Sequence, residues 1–229
     1  MSAAKFLYIL CEGERDEMFY ERLCERITGQ TYIQPQDFRV RRGSNFKTAM
    51  AAARVLISRF KHWPEPQDVA VIIAVDNDRA PAHPGGKPAP RPLPPLDLKK
   101  SARYPALVEM ITAALGPDPG NRVVNVALAV PVEMIESWLL MLLNPDGGEL
   151  PLFSEISPIS RQYYGGGTPP PQLKELRDAE AAKLGLDLDT LFYNAADQGD
   201  LDRLAVRSES FALFRRDLLA WRGVGDRVP

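Results

Sequence analysis

The chain reads as an α/β protein built on a doubly wound, mainly parallel sheet of four strands, with a helical C-terminal extension. Three observations carry that reading. Short apolar runs alternate with amphipathic stretches, two of those runs end abruptly in acidic residues, and strand-like text stops near residue 144.

Residues 5–11 (KFLYILC) form the first apolar run, bounded by Glu12 and Gly13, and predict a buried strand of a parallel sheet. Residues 15–28 then set Met18, Phe19, Leu23 and Ile27 at helical spacing with charges between, and Gly29 closes that helix. Residues 37–41 alternate Phe38 and Val40 with charges, as a second strand would. After Gly43, Ser44 and Asn45, helical spacing resumes over 46–60 through Met50, Val55 and Ile57. A break at Trp63-Pro64-Glu65-Pro66 precedes 69–75, an unbroken apolar run that ends in Asp76-Asn77-Asp78 and predicts the third strand.

Residues 81–95 hold a third of the 21 prolines together with Gly85 and Gly86, so an extended surface loop is expected over 81–96. Residues 101–115 predict a helix and 122–130 a fourth strand. Pro131 opens a further helix over 132–143, at the position where proline is favoured. Strands alternating with helices argue for right-handed crossovers that cover both faces of one sheet. The core is therefore expected over 1–144. Residues 145–229 read as a helical cap packed on it, with helices near 172–184 and 210–221.

Composition narrows the function classes. Hydrophobic residues at 45% and charged residues at 25% are globular proportions, which argues against a disordered or fibrous chain. The longest apolar run, 138–143, is far too short to cross a bilayer, and the N-terminus shows no secretory pattern, so a cytoplasmic location is expected. Two cysteines cannot build a zinc cluster, and Cys11 and Cys24 are expected as free buried thiols. A net charge of -2 means that any nucleic-acid contact must be local. Arg39, Arg41, Arg42 and Lys47 make the candidate patch, a solvated basic face being the alternative. Neither the phosphate loop of nucleoside triphosphatases nor a dinucleotide fingerprint is present, so ATPase activity would come from a partner.

Ligands of open parallel sheets sit beyond the carboxyl ends of the strands, where strand order reverses. A 2-1-3-4 order would make the first and third strands neighbours and converge Glu12, Asp76 and Asp78. Three carboxylates suit magnesium or manganese, which take oxygen ligands and keep waters for a phosphate substrate. In phosphodiester cleavage such an ion neutralises phosphate oxygens and activates water. The plain alternative for Asp76 and Asp78 is a turn that satisfies local backbone groups. Glu14 rivals Glu12 within the same turn. Glu133 and Glu136 open the helix after the fourth strand, where they either face the metal or stabilise the helix dipole. Lys47 lies at a helix start, which attracts phosphate or merely needs a cap. His62, His83, Tyr163 and Tyr164 are assigned no role.

Residues 7–23 (LYILCEGERDEMFYERL) resemble the strand, Glu-Gly turn and helix that open Toprim domains, and 71–78 (VIIAVDND) resemble their second motif. The resemblance implies a magnesium site with Glu12 as the first-motif acid and Asp76 and Asp78 as the DxD pair. A narrower likeness is to small bacterial Toprim-like proteins of the RloB type, related to OLD-family nucleases. It rests on 131–140 (PVEMIESWLL) and 206–218 (VRSESFALFRRDL). That likeness implies a nuclease in phage defence beside an ABC-type ATPase, with Glu136 as an additional acid. Two other function classes compete with it. One is a Toprim-like module that binds nucleic acid or tRNA for an ATPase without cutting it. The other is a glycosyltransferase DxD site, which leaves Glu12 idle.

Overall fold

The computed structural model describes residues 5–35, 46–60, 69–76, 103–116, 125–131, 135–143 and 173–221. Four strands, β1 (Lys5–Leu10), β2 (Tyr32–Ile33), β3 (Val69–Ala74) and β4 (Asn125–Ala129), form one sheet in the order β2-β1-β3-β4. Every pairing is parallel. Among the described residues there are eight helices. They are α1 (Glu14–Thr28), α2 (Phe46–Phe60), α3 (Arg103–Leu115), α4 (Glu136–Leu143), α5 (Leu173–Leu184), α6 (Leu188–Gln198), α7 (Leu201–Arg207) and α8 (Glu209–Leu219). The α/β class and the 2-1-3-4 order follow the sequence reading. The strand expected over 37–41 and the loop over 81–96 lie outside the described residues, and the second strand stands at Tyr32–Ile33. None of these helices is long and apolar enough to cross a membrane.

The chain divides into two compact units, Met1–Val75 with Ala106–Ala129 and Leu213–Pro229, and Asp76–Pro105 with Val130–Ala212. The sequence changes character near residue 144. The units divide just after β3, within α3, just after β4 and within the last helix.

In the first unit β3 lies between β1 and β4, and all six of its residues are buried. An all-apolar strand can do this because both of its faces are covered, which is the arrangement right-handed crossovers impose on a parallel sheet. Since the chain steps from β1 to β2 in one direction and from β2 past β1 to β3 in the other, such crossovers put α1 on one face and α2 on the opposite one. Phe19, Leu23 and Cys24 of α1 and Ala53, Leu56 and Ile57 of α2 are fully buried. Helix α1 stops at Gly29, whose φ of 66° is the left-handed conformation glycine adopts without penalty, and whose N–H bonds to the Glu25 carbonyl at 2.8 Å.

The C-terminal segment completes this unit. Phe214 packs edge-on against Tyr20 and Trp221 against Tyr32, with ring centroids 6.0 and 6.1 Å apart. The Leu128 N–H of β4 donates to Asp217 at 3.4 Å, so a carboxylate occupies part of a sheet edge that would otherwise invite another strand.

In the second unit α4 is the hub. Its residues 136–142 are all buried, because α5, α6 and α7 pack around it, and the apolar run 138–142 (WLLML) that follows Glu136 and Ser137 is what such a helix needs. Gly199, just after α6, lies so close to α4 that a Cβ there would meet Leu142 at 2.7 Å and the Ala195 carbonyl at 2.5 Å. Asp187, Asp200 and Ser208 cap α6, α7 and α8 through their side chains, accepting from the amides of Thr190, Arg203 and Phe211.

Candidate functional site

Glu12 and Asp76 both follow the carboxyl ends of paired strands. β1 and β3 align Leu10 with Ile73; Glu12 is the second residue after Leu10 and Asp76 the third after Ile73. The strand order reverses between β1 and β3, the position at which open parallel sheets bind ligands. Glu12 is exposed. It sits between buried Cys11, whose thiol donates to the Gly13 carbonyl at 3.2 Å, and Gly13, the extended N-cap of α1. Glu14 belongs to the helix itself. With Asp16 and Glu17 it forms an acidic first turn that complements the helix dipole, which distinguishes it from Glu12 outside the cap.

Asp76 is half-buried, and its Oδ1 accepts from the Ile135 N–H at 3.1 Å. The Ile135 carbonyl in turn accepts from Trp138 and Leu139, which makes Ile135 the N-cap residue of α4. In a capping box the acid three positions into the helix reaches back to the N-cap amide. Here that position holds Trp138, and Asp76 takes the role from 59 residues upstream. The acid after β3 thus fixes the start of the helix that follows β4.

Glu136 is the first residue of α4 and only 3% exposed. Burying a carboxylate is costly without a partner, and Arg177 of α5 supplies one: its Nη1 donates to Glu136 Oε1 at 2.6 Å. The rest of the guanidinium turns to Asp178, through Nε at 2.8 Å and Nη2 at 2.7 Å. Next to Glu136, the Ser137 Oγ is buried and has no hydrogen-bond partner among the described residues.

The two later motifs meet within the second unit. Trp138 of PVEMIESWLL donates its indole N–H to Ser210 at 2.9 Å and packs edge-on against Phe211, centroids 5.2 Å apart. Ser210 also shares a hydrogen bond with Ser208, which caps α8. Every one of these residues is buried, so this Ser-x-Ser-Phe segment acts as a clasp on α4 rather than as chemistry open to a substrate.

Asp78, Glu133, Arg41 and Arg42 lie outside the described residues, as do His62, His83, Tyr163 and Tyr164. Lys47 belongs to the first turn of α2, its side chain outside what is described. Among the described residues no three His, Cys, Asp or Glu side chains gather as a metal-binding group. The described acids Glu12, Asp76 and Glu136 offer carboxylate oxygens alone, the donor type that magnesium and manganese take. Sequence reasoning passed over Arg177. The available signal was Glu136 itself, an acid beside the apolar run 138–143, whose burial calls for a partner and is well met by a cation. No family model, curated protein or solved structure matches this chain.

Proposed function

We propose that the chain is a Toprim-type, metal-dependent nuclease that hydrolyses phosphodiester bonds of nucleic acid. The observation that carries this reading is the emergence of Glu12 and Asp76 from the carboxyl ends of β1 and β3, on either side of the point where strand order reverses. In the proposal Glu12, Asp76 and Asp78 hold magnesium or manganese, Glu136 assists, and Arg41, Arg42 or Lys47 contacts phosphate. The bound ion supplies charge neutralisation at the phosphate and a more acidic water. The chain's own part is to hold hard carboxylates at fixed positions: the Ile135 amide restrains Asp76, and Arg177 restrains Glu136. The further parts of the reading, a cytoplasmic role in bacterial phage defence and an ABC-type ATPase partner, rest on the resemblance of the motifs in 7–23, 71–78, 131–140 and 206–218.

The test is cleavage of labelled DNA and RNA by the full chain with Mg²⁺ or Mn²⁺, alongside the variant Asp76→Asn. Chelator-sensitive cleavage that the variant lacks supports the reading. Equal cleavage by wild type and variant rejects it.

A second reading, a nucleic-acid-binding module without cleavage, draws on a specific observation: Asp76 and Glu136 each have a structural partner, so both acids have a role without a metal. It predicts nucleic-acid binding that chelator leaves unchanged, with intact product on a gel.

A further inference from the structure

Residues 36–62 carry seven of the chain's 28 lysines and arginines and one of its 30 acids, Asp37, in a protein whose net charge is -2. Helix α2 lies in this stretch and contains Lys47, Arg54 and Arg59 but no acid. Elsewhere the exposed helices pair charges within one turn, as Arg22 and Glu25 do on α1 and Glu180 and Lys183 on α5. No such pair can form within α2.

The first unit also separates its charges in space. Right-handed crossovers put α1 and α2 on opposite faces of the sheet. α1 holds five acids and three cations, so an acidic helix lies on one face and a basic one on the other. α2 buries Ala53, Leu56 and Ile57 against the strands, which turns Ala51, Arg54, Val55, Ser58 and Arg59 outward. Val55 is 66% exposed, so this face is open to a partner. Ala51, Arg54 and Ser58 follow one another along a single helical stripe, and the small residues on either side of Arg54 let an extended backbone approach the helix closely.

We propose that the outer face of α2 is a docking surface for the phosphodiester backbone of nucleic acid, with Arg54 as its central contact and Arg59 beside it. The inference rests on the nucleic-acid reading above, in its cleaving or its non-cleaving form, and needs no metal. It supplies the local surface that a net charge of -2 demands. The planar guanidinium matches phosphate oxygens, and each neutralised phosphate releases counterions, so binding weakens with salt. Phosphate contacts position a strand without reading its bases, so unrelated sequences should bind alike.

The experiment is fluorescence anisotropy of a labelled random-sequence DNA duplex and a single-stranded RNA of the same length, titrated with the full chain in chelator over a range of salt. Wild type is compared with Arg54→Gln, Arg54→Lys, Arg54→Gln/Arg59→Gln and, as a control for net charge, Lys183→Gln on α5. Glutamine is nearly as good a helix former as arginine, and near-ultraviolet circular dichroism identifies the folded variants. Loss of one phosphate contact reduces the slope of log K against log salt by about 0.9 for duplex and about 0.7 for single strand, or roughly five- to eightfold in affinity near 0.1 M salt. Arg54→Gln should show that change on whichever probe the wild type binds, and the double variant about twice the change in slope. Arg54→Lys and Lys183→Gln should keep the wild-type slope. If wild type binds while Arg54→Gln and the double variant retain its affinity and slope, or Lys183→Gln weakens binding equally, the inference falls and the nucleic-acid reading stands. If wild type binds neither probe, in chelator or with Ca²⁺, the nucleic-acid reading falls and the inference with it. Binding to anionic lipid vesicles instead, lost in Arg54→Gln, would make the partner a membrane surface and overturn the proposal.

Discussion

Asp76 has two separable duties in this account, and one pair of substitutions tells them apart. Its Oδ1 accepts from the Ile135 amide at 3.1 Å, and Ile135 caps α4, the hub of the second unit. Asp76→Ala removes the acceptor and strands a backbone N–H. Losing a helix-start bond of this kind costs about 0.5–2 kcal/mol, and because the acceptor is an ionised, half-buried carboxylate the upper half of that range applies. Asp76→Asn keeps an oxygen in nearly the same place and loses only the charge assistance, roughly half of the effect. Urea denaturation in chelator should therefore rank stability as wild type, then Asn, then Ala. Mn²⁺ affinity should fall for both variants, since an amide oxygen is a poor substitute for a carboxylate. If Asp76→Ala proved as stable as wild type, the cap on α4 would be wrong. If the Asn variant were as unstable as Ala, the hydrogen bond would not be the cause.

Other consequences follow from particular contacts. Gly199→Ala places a methyl 2.7 Å from Leu142 and 2.5 Å from a backbone carbonyl, so overpacking should cost about 1–3 kcal/mol, read as a lower urea midpoint with unchanged slope. Ser210→Ala leaves the buried Trp138 indole N–H without its acceptor and should cost about 1–3 kcal/mol, or roughly 2–4 °C of melting temperature per kcal/mol. Burial pushes the Cys24 thiol up from 9.0 to about 12. The unfolded chain gives up this proton first, so stability from this group is complete below pH 9 and is lost as pH climbs towards 12. Cys24→Ala should flatten that alkaline decline, and an unchanged slope would refute the assignment.

The elements that were legible in the sequence are those whose apolar pattern is strong and whose ends carry local signals. VAVIIA is short, rich in β-branched residues and bounded by breaks, which favours a covered strand over a buried helix, and its neighbours at 5–11 and 122–130 follow the same logic. Helix α2 spans 46–60 as its spacing predicts, and Gly29 ends α1 as expected. Helices α6 and α7 escaped notice, although Asp187 and Asp200 stand where side-chain caps belong. Their text is mixed, and cap residues are also ordinary turn residues, so pattern alone does not separate the two. The two-residue β2 is too short for any periodicity to register.

For the candidate site, the acids Glu12 and Asp76 were legible because a strand that stops at an acid is a local feature. Partnerships across the chain were not. The bond from Asp76 to Ile135 joins residues 59 positions apart, and Arg177 reaches Glu136 across 41. In the linear text Arg177 is one more cation on an amphipathic helix. Only the fold makes it the counter-charge of a buried acid. Likewise the Trp138 and Ser-x-Ser-Phe motifs read as separate family marks, and their meaning as one clasp lies in a hydrogen bond between residues 72 apart.

The central claim is that acids far apart in sequence act on one ion, and Glu12 tests it most directly because it alone comes from β1. Titration of the folded full chain with Mn²⁺ should show one site in wild type and a loss of affinity of at least about tenfold in Glu12→Gln. Uptake by Glu12→Gln equal to that of wild type would contradict the account.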